Sequence, residues 1–280
     1  MTAPVVSVVV PTRDRAGYLD VALASLRAQE HAPAHELLVV DDRSGDETLE
    51  VAARHDVRVA AVQKPGGLNA ARNTGLDETT APLVAFVDDD VLVPPGWLAA
   101  LVQGAARHPD AEAFGGPITA RLEGPTPRSC GREKPPITTL DLGGDDKPAP
   151  MVWGANFAVR RAAIQRLGRF DPALSGHGDE EDWLMALRAT GGEIYYLADA
   201  GLEHRRSGDD SRLRGLSRAA WHRGRAARRT DSRRGSAPGA AAELRNLTGA
   251  GWHTVRRLCP QGLIMGAHSA GRLAEALRGR

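Results

Sequence analysis

Apolar residues in this chain gather in short unbroken runs, and between the runs they recur every three or four positions. Val5 to Val10, broken only by Ser7 and stopped by Pro11, is a β-branched run of the kind found in strands covered on both faces. Leu19, Ala22, Leu23 and Leu26 follow at helical spacing. Leu37 to Val40 is a second run, Val57 to Val62 a third and Leu83 to Val87 a fourth. Between them, Ser44 with Glu47 reads as a capping box that opens a helix, and Asn69 to Leu76 reads as another helix. Pro94-Pro95 opens a helix with Trp97, Leu98, Leu101 and Val102 on one face. Strand and helix alternate with short connections, which predicts a doubly wound, right-handed α/β sheet dominated by parallel strands.

The pattern then changes. Pro125, Pro127, Pro135, Pro136, Pro148 and Pro150 punctuate residues 121–150, a long loop that reads either as a lid or as an irregular insertion. Order resumes at Met151 to Phe157, with a helix over Arg161 to Leu167 and a turn at Phe170-Asp171-Pro172. Gly178 to Trp183 opens a helix whose apolar side carries Trp183, Leu184 and Leu187. Ile194 to Leu197 reads as a strand, and Leu202-Glu203-His204 as the end of another. Beyond Arg205, Arg, Ala and Gly dominate and periodicity is weak. Leu213, Leu216 and Ala220 suggest one helix, and Leu273 to Leu277 a short terminal one.

Composition adds limits. The 280 residues are 42% hydrophobic and 25% charged, which suits one large domain, or one of about 200 residues with an appendage. No run approaches the roughly 18 apolar residues of a membrane span. No basic n-region or cleavage signature follows Met1, so a cytoplasmic setting is the expectation. Cys130 and Cys259, the only cysteines, make neither a disulfide framework nor a zinc-finger spacing.

The net charge of +1 conceals an asymmetry: residues 1–204 carry 19 Lys and Arg against 30 Asp and Glu, and residues 205–280 carry 17 against 5. The division expected is therefore a domain over 1–205 (a first half to about 115, a second from 116) and a basic, mainly helical appendage over 206–280. The arginines of the tail, with Trp221 and Trp252 interleaved, admit three readings. They are peripheral contact with an anionic inner-membrane surface, a solvated helical appendage, or the less favoured nucleic-acid contact.

The candidate chemistry starts at Asp88-Asp89-Asp90, which closes the fourth apolar run. Carboxylates this close are tolerable only if solvated, protonated or neutralised by a cation. A hard divalent ion prefers carboxylate oxygen and often shares its shell with phosphates. In a wound parallel sheet ligands bind at the carboxyl ends of strands. Pro11-Thr12, Asp41-Asp42 and Asp88 to Asp90 all occupy such ends.

Taken together, these residues resemble the inverting, GT-A-fold family 2 glycosyltransferases over about residues 5–205. The matching pieces are Val-Val-Pro-Thr-Arg-Asp at 9–14, Val-Val-Asp-Asp-Arg-Ser at 39–44, Gly-Leu-Asn-Ala-Ala-Arg-Asn-Thr-Gly at 67–75, Phe-Val-Asp-Asp-Asp at 86–90, Gly-Ala-Asn at 154–156, Glu-Asp-Trp at 181–183 and His204. The resemblance implies transfer of a sugar from a nucleoside diphosphate (UDP, dTDP or GDP) to an acceptor hydroxyl or amine, with Mn²⁺ or Mg²⁺ at the diphosphate. It assigns Asp90 and His204 to the metal, and Asp88 or Asp89 to the ribose or sugar. The register within the triplet stays open, because Asp-x-Asp fits three aspartates more than one way. Asp41 matches the position that bonds the base; Pro11, Thr12 and Arg13 would line base and ribose, and Arg72 would lie near the diphosphate. Asp182 matches the general base and Glu181 a positioning role, while Asp179 and Glu180 are expected only to complement a helix dipole. Trp153 and Asn156 are expected in the sugar or acceptor pocket. Arg13-Asp14 and Trp183-Leu184 depart from the family pattern, which leaves base and acceptor contacts open. The rival classes are a nucleotidyltransferase, disfavoured because Pro-Thr-Arg-Asp-Arg at 11–15 lacks a phosphate-loop glycine, and a non-catalytic nucleotide or nucleic-acid binding module. Acceptor identity and oligomeric state are not legible.

Overall fold

The computed structural model describes residues 2–63, 66–131, 136–174 and 179–278. In chain order it contains β1 (Val6–Thr12), α1 (Ala16–Arg27), β2 (His35–Asp41), α2 (Thr48–Arg54), β3 (Arg58–Ala61), α3 (Gly67–Glu78), β4 (Leu83–Val87), β5 (Val91–Leu92), α4 (Trp97–Arg107), β6 (Ala111–Gly115), β7 (Ile118–Leu122), β8 (Lys147–Pro148), β9 (Asn156–Arg160), α5 (Arg161–Leu167), α6 (Asp179–Ala189), β10 (Glu193–Tyr196), β11 (Leu202–Arg206), α7 (Leu213–Arg233), α8 (Ala240–Arg257) and α9 (Gln261–Arg278). Two compact units result. One comprises Met1–Thr119, Thr139–Ser175 and Asp179–His204; the other is built mainly from Ala120–Thr138 and Arg205–Arg280.

The first unit is organised on an eight-stranded sheet of order β3-β2-β1-β4-β9-β6-β10-β8. β3, β2, β1 and β4 are mutually parallel, and β10 is parallel to β6. The doubly wound, mostly parallel α/β sheet expected from the sequence is present. The first apolar run shows why. Val6, Val8 and Val10 enter one core with Leu19, Leu23, Leu98 and Leu101, while Val9 enters the other with Ala71, Leu76 and Leu184. A strand buried on both faces leaves no position for a polar alternation. α3 lies so close to β1 that a Cβ on Gly75 would stand 2.4 Å from Val9 Cγ1.

β9 breaks the parallel order. It runs antiparallel to both β4 and β6, with Asn156 opposite Val87. Its first residues therefore lie at the edge where β1, β2 and β4 end. Behind that edge Phe86, Phe157, Phe170 and Trp183 form a ring cluster, with Phe86–Phe170 at 5.6 Å and Phe170–Trp183 at 5.7 Å between centroids. The Trp183 indole N–H donates to the Gly168 carbonyl at 2.9 Å. Burial of Trp183 seats the first turn of α6.

Three local expectations are corrected. Ser44 does not cap α2, which begins at Thr48; Asp46 Oδ1 accepts the Thr48 N–H at 3.1 Å and Ser44 Oγ is taken by the Asp14 N–H. The Pro-rich stretch is not an irregular insertion where it is described. In the first unit Leu140 exchanges backbone hydrogen bonds with Ile118, and β8 pairs with β10 as the outermost strand, where the missing N–H of Pro148 is tolerated. In the second unit Ile137 packs with Leu216, Ala220 and Ile264, and Arg223 donates to the Pro136 carbonyl. Pro135 lies outside the described residues.

The basic tail is also more ordered than its weak periodicity suggested, with α7, α8 and α9 of 21, 18 and 18 residues. The helices meet through glycine: a Cβ on Gly224 would stand 2.0 Å from the His268 carbonyl oxygen, and one on Gly271 2.3 Å from that of Trp221. An interface of small residues lets backbones touch but leaves little hydrophobic period. Some of the arginines are spent inside: Arg272 binds Glu243 and Asp231, each at 2.7 Å, and Arg225 binds Glu275 at 2.7 Å. Among the described residues no helix is long and apolar enough to cross a membrane.

Candidate active site

The carboxyl ends of β1, β2 and β4 meet on one edge of the sheet, and two loops there are laced together. The Asp14 N–H donates to Ser44 Oγ at 2.9 Å and the Gly45 N–H to Asp14 Oδ1 at 2.7 Å. Asp14 adopts a φ of 53° to do so. Pro11 is buried opposite Val40. Asp41 is buried and accepts the Ser44 N–H at 3.0 Å. Asp42 accepts the Gly66 and Gly67 N–H groups at 3.3 and 3.2 Å, where α3 begins. Arg13, 54% exposed in its side chain, lies 3.6 Å from Asp42.

The acidic triplet divides by partner. Asp89 accepts the Thr12 hydroxyl at 2.8 Å and lies 3.1 Å from Arg15 Nη1. Asp90 Oδ2 accepts Arg15 Nη2 at 2.7 Å, and Asp90 Oδ1 lies 3.1 Å from His204 Nε2. Ligand atoms of Asp88, Asp90 and His204 all lie within 4.8 Å of one another. His204 is mid-strand in β11, not at a strand end as expected. It reaches the triplet because β11 pairs antiparallel with β5, His204 opposite Val91, the residue after Asp90. Asp88, one of the two aspartates offered for the ribose or sugar, stands with Asp90 and His204.

The charges are strained by burial. Burial pushes the Asp89 carboxyl up to about 7 despite the opposing Arg15. Burial raises Asp88 too, helped by Asp90 and opposed by His204 and Arg72. Arg15 is held protonated by Asp89 and Asp90 against its own burial, its pKa raised, and its guanidinium stacks 4.5 Å from the Tyr18 ring centre. The sequence reading missed Arg15. The signal was available: three adjacent carboxylates at a strand end need a nearby cation, and Arg15 follows the neighbouring strand.

Arg72, far from a solvated helix arginine, is 1% exposed. Its guanidinium donates to Asn69 Oδ1 at 3.1 Å and lies 3.5 Å from Glu180 Oε2. Glu180 also accepts the Gly154 N–H at 2.8 Å. A Cβ on Gly154 would stand 2.3 Å from Arg72 Nη2 and 3.0 Å from the Glu180 carboxylate, so any larger residue here has to displace that pair. Glu180, expected only to complement the helix dipole, is thus also a buried partner of Arg72. Glu181 and Asp182 share the first turn of α6 with it and are half-buried.

Trp153 packs partly buried against the first core. Asn156 is 1% exposed. Its Oδ1 accepts the Trp97 indole N–H at 3.2 Å and its Nδ2 donates to Ala200 at 2.7 Å and Pro117 at 3.3 Å. The amide expected in a pocket is committed inside the fold.

A mixed sheet of this order, with an acidic triplet and a histidine at its carboxyl edge, is of the GT-A type. The profile described as Glycosyl transferase family 2 matches residues 7–168, more than half of the chain, and the chain belongs to that family. It is 31% identical over 208 residues to the pre-mycofactocin glycosyltransferase of Mycobacterium tuberculosis (strain CDC 1551 / Oshkosh), covering 71% of this chain and 42% of that protein. It is 29% identical over 209 residues to the validoxylamine A glucosyltransferase of Streptomyces hygroscopicus subsp. limoneus, covering 64% of this chain and 46% of that protein. The chain thus spans less than half the length of these relatives. The mannosyltransferase PcManGT of Pyrobaculum calidifontis, solved with GDP-Man and Mn²⁺, shares the fold with a TM-score of 0.57 at 19% identity, over 99% of this chain and 74% of that one.

Proposed function

We propose that the chain is an inverting, metal-dependent glycosyltransferase that moves a sugar from a nucleoside diphosphate to an acceptor hydroxyl or amine. The observation that carries this reading is the convergence of Asp88, Asp90 and His204 within 4.8 Å at the sheet edge. Two carboxylates and an imidazole suit Mn²⁺, a hard-to-borderline ion that accepts nitrogen more readily than Mg²⁺ does. Bound there, the ion supplies Lewis-acid stabilisation of the departing diphosphate.

The chain's own residues carry the rest. Asp89, outside the ligand set, anchors the triplet to β1 through Thr12 and Arg15. Asp41, with Pro11, Thr12 and Arg13, receives the nucleoside, and Arg72 contributes positive charge to the phosphates. Asp182 accepts the acceptor's proton as the acceptor oxygen or nitrogen attacks the anomeric carbon and the bond to the diphosphate breaks. Glu181 positions the acceptor. The relatives and the solved neighbour support the donor class, because their names include glucosyl transfer and a GDP-sugar complex.

Asp182→Asn tests the mechanism. Turnover falls about 10²–10⁴-fold, while the thermal shift produced by Mn²⁺ with the right donor, found from a UDP, dTDP and GDP sugar panel, is kept. Unchanged turnover refutes the base assignment.

The second unit supports a peripheral membrane contact. Trp252, Val255 and Leu258 are 63%, 71% and 88% exposed, beside Arg256 and Arg257. The pattern fits an interfacial helix on anionic lipid. Trp252→Glu is expected to abolish co-sedimentation with phosphatidylglycerol vesicles; equal binding to phosphatidylcholine vesicles contradicts the reading.

A further inference from the structure

The second unit holds a cluster of different chemistry. Cys130, His253 and Cys259 offer ligand atoms that all lie within 4.8 Å of one another. Cys130 Sγ is 3.6 Å from His253 Nε2, and no disulfide joins the cysteines. The three come from distant stretches: Cys130 from the Pro-rich segment, His253 from the last turns of α8, and Cys259 from the turn into α9. That is why linear spacing showed no metal motif.

The turn at Cys259 is built to point the thiol inward. Leu258 takes the left-handed conformation at φ 49° and is 88% exposed, while Cys259 is 2% exposed. A leucine in that region of backbone space costs about 1 kcal/mol. The strain turns an apolar side chain out to solvent and a thiol in. The Cys259 N–H closes the turn onto the Thr254 carbonyl at 3.2 Å, and Cys259 Sγ is 4.0 Å from the Arg128 carbonyl.

We propose that Cys130, His253 and Cys259 bind one Zn²⁺, with water or a backbone carbonyl completing the tetrahedron. Zinc–sulfur and zinc–nitrogen bond lengths place S and N ligands about 3.6 Å apart across a tetrahedral edge, the separation found between Cys130 and His253. On binding, each thiol gives up its proton and the imidazole stays neutral. Two thiolates and Zn²⁺ sum to zero charge, which suits a partly buried site. The donor set also separates this ion from the one at the sheet edge: sulfur selects zinc, whereas carboxylate oxygen suits manganese or magnesium. The ion would tie the segment Ala120–Thr138 to α8 and to the start of α9. Its binding free energy would therefore appear as stability of this unit.

The test uses the full chain purified under reducing conditions, with metal content measured by mass spectrometry. About one zinc per chain is expected. Cys130→Ser and His253→Gln are each expected to lower zinc affinity at least about tenfold, while Asp90→Asn retains the zinc. Cobalt substituted for zinc should show thiolate-to-metal charge-transfer absorption, absent in Cys130→Ser. Chelation should lower the melting temperature and open both thiols to alkylation. Failure of fresh, reduced protein to bind added zinc overturns the proposal. So does zinc that survives the loss of both cysteines, or thiols whose alkylation is indifferent to chelation. Because these readouts need no turnover, they stand or fall separately from the glycosyltransferase reading.

Discussion

Replacing Glu180 by Gln keeps the shape of the side chain and removes its charge. Arg72 is 1% exposed and 3.5 Å from the Glu180 carboxylate. At that separation the attraction is about 5 kcal/mol for an effective dielectric near 20. A glutamine oxygen can still accept the Gly154 N–H, so the hydrogen bond at 2.8 Å is not what the variant loses. What it loses is the counter-charge of a nearly fully buried guanidinium. Breaking such a pair costs about 3–5 kcal/mol, or about 6–20 °C in melting temperature for a chain of this size. A first-turn acid that merely complements the helix dipole would contribute about 0.3–1 kcal/mol. The two accounts therefore differ several-fold. Urea and thermal unfolding of Glu180→Gln, alongside Arg72→Met combined with Glu180→Gln, separate them. The double variant should recover at least half of the loss, since it leaves no unpaired charge. A single-variant loss below about 1 kcal/mol refutes the buried-pair account.

Two more outcomes follow from the charges. Burial pushes the Glu36 carboxyl up, but hydrogen bonds from the Thr80 N–H, the Ser7 hydroxyl and the Ala81 N–H outweigh it and hold the pKa below the ordinary glutamate value. Its stabilisation is then complete above that ordinary value and vanishes as pH falls through the depressed folded one. The urea-midpoint gap between wild type and Glu36→Gln, about 1 kcal/mol at pH 7, should close on acidification, and a gap that ignores pH defeats the assignment. Arg15→Met leaves Asp89 and Asp90 without their main cation. Metal-free protein should lose about 1–3 kcal/mol, allowing for the one-third exposure of Arg15. Mn²⁺ should stabilise the variant more than the wild type; equal shifts would show that Arg15 does not neutralise the triplet.

The sheet was legible because its strands are short and continuously apolar. Nothing but burial on both faces asks Val6 to Val10 and Leu83 to Val87 for that composition. The edge residues were legible because each carboxylate directly follows such a run. What escaped depends on long-range pairing. The antiparallel entry of β9 brings Gly154 to the edge, and the β5–β11 pairing brings His204 beside Asp90. Neither has a local signature, so His204 and Gly154 could be placed only through the family resemblance. Glu180 was assigned only to the helix dipole because it stands in a first turn among four acids in a row. Only the depth of Arg72 reveals that one of them turns inward. The tail was expected to be mainly helical and is, but α8 and the full lengths of α7 and α9 escaped, because glycine at their contacts erases the apolar period on which detection relies.

A charge ledger at the sheet edge explains why these features occur together. Asp88, Asp89, Asp90 and Glu180 bring four negative charges, and Arg15 and Arg72 return two. With His204 neutral, as the proposed role at the metal requires, two negative charges remain among groups that are largely buried. The fold meets part of this by raising Asp89 to about 7, so that it can hold a proton near neutrality, and by raising Asp88 above its ordinary value. Protons are the weaker remedy, since a protonated carboxyl cannot attract a diphosphate. A divalent cation cancels the residue of charge outright and leaves the carboxylates ionised. The nucleoside diphosphate of the proposed reaction would then add its negative charge to a neutral cluster instead of to a doubly negative one. On this arithmetic the donor and the cation bind as a pair, and donor affinity should collapse when the cation is withheld.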